Sequence, residues 1–292
     1  MRSKTFHLTT ILAAVSLIGL SLASTAQAEL NQPPEGFTAL FNGKDLTGWK
    51  GLLKGPYDNP DKRSALEPDK LAELQKEAND NMVAHWKVVD GVLVFDGKGR
   101  SLCTAKDYAD FEMLVDWKIE KAGDSGIYLR GAPQVQIWDT ALRTVGAQVG
   151  SGGLYNNQKN PSKPTKVADK PVGEWNTQEV IAKGKQITVI LNGVTIVDAD
   201  IEKASTPKTV DGNNHPGLKR DKGYLVFCGH GHDVWFKDLK IKTLDPAIRY
   251  VVVCDNGRRS SAAAYILSER GFDTHVLRGG IAATGLADTL IR

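Results

Sequence analysis

Cysteine is scarce in this chain of 292 residues, which has only Cys103, Cys228 and Cys254. Three thiols at scattered positions exclude a disulfide scaffold and lack the paired spacing of a zinc site, and at least one is unpaired within the chain. A charge excess is missing too. Lys and Arg number 37 against 34 Asp and Glu. Without residues 1–28 the balance is 35 against 34, so the pI of 8.6 is no sign of a nucleic-acid partner. A phosphate-cradling glycine loop, a dinucleotide fingerprint and a basic-aromatic stripe are absent, which argues against nucleotide enzymes and nucleic-acid binders.

One long apolar run is present, at residues 11–23, and it is short for a membrane span. Arg2 and Lys4 precede it, and Ala26-Gln27-Ala28 supplies the small residues that a signal peptidase cuts after. The expectation is a signal peptide over 1–28, cleavage after Ala28, and export to the periplasm or medium without stable membrane insertion. No cysteine follows the run to carry a lipid.

From Gly36 the text is strand-like. WKVVDGVLVFDG places Asp90-Gly91 between two β-branched runs, the two-residue hairpin signal, and Asn192-Gly193 repeats it. In FEMLVDWKI, Phe111, Met113, Val115, Trp117 and Ile119 alternate with Glu112, Asp116 and Lys118. Leu66, Leu71, Leu74, Ala78 and Met82 have helical spacing and predict one inserted amphipathic helix. Many antiparallel strands around a single helix predict a mainly β, two-sheet jelly-roll sandwich over 29–245.

The densest chemistry lies in GDSGIYLRGAPQVQIWD. If Ile127, Leu129, Val135 and Ile137 face a core, strand alternation turns Tyr128, Arg130, Gln136 and Trp138 to the other face, ending at Asp139. Planar aromatics beside forked donors and acceptors suit a sugar, and the loop GSGGLYNN adds Tyr155 and Asn156. A solvated sheet face alternates in the same way.

Eight segments carry a resemblance: FNGKDLTGW, HWKVVDGVLV, DFEMLVDWKI, GDSGIYLRGAPQVQIWD, GSGGLYNNQKNPSKP, KPVGEWNT, ITVILNG and GHDVWFKDLKIK. Together, over about residues 36–244, they resemble the bacterial 3-keto-disaccharide hydrolase family, also described as 3-keto-glucoside lyase/hydratase domains. The resemblance implies a concanavalin-like jelly roll, exported in bacteria, that acts on glycosides already oxidised at C3. A C3 ketone acidifies the C2 hydrogen. Its removal lets the enolate expel the C1 substituent, and water then adds back. Such chemistry needs a base, a group to hold charge on the ketone oxygen, and an acid for the leaving oxygen.

By strand parity, Glu112 or Asp116 is expected as base, Arg130 as enolate stabiliser, and Tyr128 or His230 as proton donor. Glu112, Asp116 and Lys118 read equally as a cross-strand charge pattern on a wet face. Arg130 is expected to have an ion-pair partner, Asp116 or Asp139. His230 and His232 with a carboxylate could hold a divalent metal, a natural electrophile for a ketone, but their spacing decides nothing.

After Asp245-Pro246, RYVVVCDNGRRSSAAAYILSERGFDTHVLRGG reads as one βαβ unit. It resembles the C-terminal part of a rhodanese-like domain over 246–292, with Cys254 opening a loop that carries Arg258 and Arg259. Loop amides and a helix N-terminus would lower the thiol pKa there. Ser260 departs from the arginine of a tyrosine-phosphatase loop. About 46 residues do not bury a core alone, so the segment reads as a partial appendage. Beside the enzyme, a non-catalytic sugar-binding module and a sulfurtransferase acting through Cys254 stand as alternatives.

Overall fold

The computed structural model describes residues 30–155, 162–206, 216–244, 249–252, 260–261, 264–265 and 273–276. The leader, Asn156, Cys254, Arg258 and Arg259 lie outside the described residues. The chain opens with β1 (Thr38–Ala39) and β2 (Trp49–Gly51), then α1 (Pro60–Ser64) and α2 (Pro68–His85). Six strands follow: β3 (Trp86–Val89), β4 (Val92–Asp96), β5 (Leu102–Thr104), β6 (Phe111–Ile119), β7 (Asp124–Tyr128) and β8 (Gln134–Trp138). Then come β9 (Asn176–Lys183), β10 (Gln186–Leu191), β11 (Val194–Asp200), α3 (Ile201–Ser205), β12 (Val226–Phe227) and β13 (Asp233–Thr243).

These strands form two antiparallel sheets. The larger has the order β11-β10-β9-β6-β13-β4-β3, with β1 also on β13, and the smaller has the order β2-β5-β12-β7-β8. Strands distant in sequence are neighbours in both sheets, because the chain crosses between layers as it does in a jelly roll. The turn Asp90-Gly91 has φ of 50° and 75° and joins Val89 to Val92. Asn192-Gly193 has φ of 51° and 79° and joins Leu191 to Val194. Both are the left-handed pairs that two-residue hairpins require.

Alternation decides what is buried. Phe111, Met113, Val115, Trp117 and Ile119 of β6 enter the core with Ile127, Val135 and Ile137 of the smaller sheet. The sandwich therefore has two outer faces, one on each sheet, separated by this core. Helix α2 is the inserted helix that the spacing predicts, and it buries Ala78 and Met82. Its neighbour β2 has glycine at position 51, where a Cβ would collide with the Ala78 carbonyl.

Two further short helices exceed the single one expected. Asn59 caps α1, which has proline in its first turn, and Asp200 caps α3 through the amides of Glu202 and Lys203. In the C-terminal segment β14 (Arg249–Val252) pairs in parallel with β15 (Asp273–Val276), as a βαβ unit requires.

Candidate functional site

On the outer face of the smaller sheet lies a cleft of about 520 Å³, within the range typical of small-molecule sites. Its floor carries Tyr128 from β7, Val226 from β12 and Tyr224 just before β12. Asp58, Asn59 and Pro60 form one border, Ser101, Gly229 and His230 another, and Gly131, Ala132, Gly217 and Arg220 close the end. Tyr224, Val226 and Cys103 pack together beneath, with Leu52 and Tyr128 against them.

Burial holds the Tyr128 hydroxyl well above the ordinary tyrosine range, and Cys228, Tyr155, Asp58 and Asp124 reinforce the shift. Tyr128 therefore stays protonated and keeps an O–H that can donate. Burial also pushes Tyr224 up to about 12, against the opposing pull of Arg63, and its hydroxyl donates to the Asp58 carbonyl at 2.6 Å. The Cys103 thiol is pushed up to about 11 by burial. It is a neutral thiol packed beneath the floor and not a nucleophile.

The expected catalytic set does not converge. Tyr128 and His230 border the cleft, whereas Glu112 and Asp116 lie on the outer face of the larger sheet, because their neighbours in β6 fill the core. On that face Asp116 meets Lys237 at 3.9 Å and Glu112 meets Lys242 at 4.0 Å, the cross-strand charge pattern weighed as the alternative. Burial raises both carboxyls. Lys118 belongs to the same face, 4.6 Å from the ring centre of Trp235 and 5.3 Å from that of Trp175.

Arg130 does not continue the alternation of β7. Its φ is +53°, and the side chain, in a residue only 5% exposed, donates to the carbonyls of Ala109 and Gly184 and pairs with Asp110 at 3.0 Å. Its partner is thus Asp110, not Asp116 or Asp139, and three of its five N–H donors hold loops together.

Three expected sugar contacts are mostly buried, and two of them, Trp138 and Asp139, line a second cavity of about 180 Å³ apart from the cleft. Trp138 is on the outer side of its sheet but is covered by the chain that follows, and its indole N–H donates to the Gly150 carbonyl at 2.9 Å. Gln136 donates to Asp124 at 2.6 Å, and Asp139 accepts from the amides of Ala122 and Ala141. Tyr155 is 43% exposed. Among the described residues, no three His, Cys, Asp or Glu side chains converge to hold a metal, so His230 and His232 gain no third ligand there.

Asp58, Ser101, Arg220 and Tyr224 were not visible as site residues in the sequence. Asp58 sits in a proline-containing loop, Arg220 follows the turn Pro216–Lys219, Ser101 and Tyr224 flank short strands, and only tertiary packing assembles them in one cleft with Tyr128.

The family profile described as the 3-keto-alpha-glucoside-1,2-lyase-like domain matches residues 36–242. The chain belongs to this family. A 3-keto-disaccharide hydrolase of Bacteroides thetaiotaomicron is 23% identical over 275 residues, covering 77% of this chain and 84% of the relative. A crystal structure from Parabacteroides distasonis, of a protein provisionally named a glycosyl hydrolase, is 26% identical with a TM-score of 0.52, over 74% of this chain and 100% of that one. The 3-keto-alpha-glucoside-1,2-lyase-like match holds every residue that borders the cleft. It ends before the C-terminal segment, so the rhodanese resemblance receives no support from it.

Proposed function

We propose that the cleft on the smaller sheet cleaves 3-keto-glucosides by C2 deprotonation and elimination, followed by hydration. The observation that carries this reading is Tyr128, held protonated at the floor of a cleft that Asp58 and His230 border from separate segments. Tyr128 donates to the ketone oxygen as negative charge gathers there. Asp58, on the border of the cleft, accepts the C2 proton. His230 gives a proton to the departing C1 oxygen, and water then adds across the double bond. Membership of the family and the named relative support the substrate class. The leader motif supports export to the periplasm or medium.

The test uses residues 29–292 with a 3-keto glucosyl disaccharide and its unoxidised parent in deuterated water. Release from the ketone alone, with deuterium at C2, is the expected result. Asp58→Asn and His230→Ala should each slow release by roughly 10²-fold or more. Binding without release by the folded protein would overturn the reading and leave a sugar-binding module.

A further inference from the structure

Helix α1 has no buried residue, yet its N-terminal approach makes one wall of the cleft. A five-residue helix without a buried face cannot hold its place by packing. Polar links to the floor do so instead. Arg220 reaches Asp61 at 3.0 Å and Asn59 at 3.4 Å, Tyr224 donates to the Asp58 carbonyl, and the Arg63 guanidinium lies 4.8 Å from the Tyr224 ring centre. The end of the cleft is shaped around Arg220. A Cβ at Gly217 would come within 2.6 Å of its Nη1, and one at Gly131 within 3.2 Å of Nη1 and 3.6 Å of Pro60 Cγ. Glycine at both positions leaves the room that Arg220 occupies.

We propose that the α1 wall, positioned by Asp61 through Arg220, sets which leaving group the cleft accepts. The proposal rests on the reading of the reaction given above. On that reading the oxidised ring lies toward Tyr128, Asp58 and His230 in the cleft, which leaves the Arg220, Pro60, Gly131 and Gly217 end for the substituent on C1. Asp61 is the residue to change, because it does not border the cleft and its side chain is 70% exposed. Its loss reaches the substrate only through Arg220 and the wall, which makes it a positioning residue.

The experiment compares kcat/KM for methyl, aryl and disaccharide 3-keto-glucosides in wild type, Asp61→Ala and Asp61→Glu. For Asp61→Ala the aryl-to-disaccharide ratio should rise about fivefold, the scale of one exposed ion pair. The methyl substrate should hold its rate, and Asp61→Glu should restore the ratio. In an Arg220→Ala background the Asp61 change should add nothing, because the two act as one unit. Equal loss on all three substrates, or an unchanged ratio, would overturn the proposal. Should wild type turn over none of the ketones, the reaction reading fails on its own. The wall is then judged by Kd values for the same ligands: a shift confined to the disaccharide supports it, and equal shifts or none overturn it.

Discussion

At the scale of single residues, the proposed chemistry depends on Tyr128. Tyr128→Phe keeps the ring and its packing but removes the donor, so kcat should fall by about 10²–10⁴-fold with the unfolding midpoint nearly unchanged. Steady-state rates beside a denaturant titration check both halves of that statement. Glu112 and Asp116 make the opposite prediction. Burial raises both carboxyls, so the folded chain keeps their protons to higher pH than the unfolded chain does. The unfolded state then binds fewer protons across that window, and stability falls as pH rises from the ordinary carboxylate range. Glu112→Gln with Asp116→Asn should flatten that part of the stability curve, measured by urea unfolding at a series of pH values, and leave turnover intact. A large loss of turnover would return these carboxylates to the chemistry. Strand parity put their side chains on the outside correctly, but parity carries no information on which of two sheets a strand joins.

At the scale of elements, local signals and packing part company. The hairpins at Asp90-Gly91 and Asn192-Gly193 and the burial of β6 follow from turn chemistry and alternation. The hairpin of β7 and β8 is also legible, and its fate beyond Tyr128 is not. Arg130 turns into left-handed backbone and Trp138 goes under a later loop. The backbone turn itself is local, since Arg130 and Gly131, at φ +53° and +81°, are the centre of a tight turn closed by the Ala132 amide on the Leu129 carbonyl, whereas the partners of the Arg130 side chain and the loop over Trp138 are not. The docking of α2 on β2 is equally non-local, since it needs glycine at position 51 against the Ala78 carbonyl. Gly51→Ala should therefore cost about 1–3 kcal/mol, the usual scale of overpacking, with m unchanged. A midpoint equal to that of wild type would show that the helix can shift at no cost.

At the scale of the whole molecule, the described residues that fill the space between the two sheets run from Leu40 to Ile241. A chain ending at residue 244 should then unfold at the same denaturant midpoint as the longer one, and with it keep its turnover. A lowered midpoint would show that the segment supports the sandwich. Thiol chemistry gives a second check. Cys103 and Cys228 are buried and burial raises both thiols, so in Cys254→Ser iodoacetamide at pH 8 should label neither until the protein is unfolded, as counted by mass. Fast labelling of the folded variant would mean that the cleft floor opens to reagent.

The sequence by itself determined the sandwich class, the hairpin turns, the long helix and the buried face of β6, because these depend on periods of two and 3.6 residues and on turn residues that act within a few positions. The tertiary structure decided the site. Only the order of strands in two separate sheets shows that Tyr128 and His230 share a cleft while Glu112 and Asp116 look out from the far side, and only packing brings Asp58 and Arg220 to Tyr128 from distant parts of the chain.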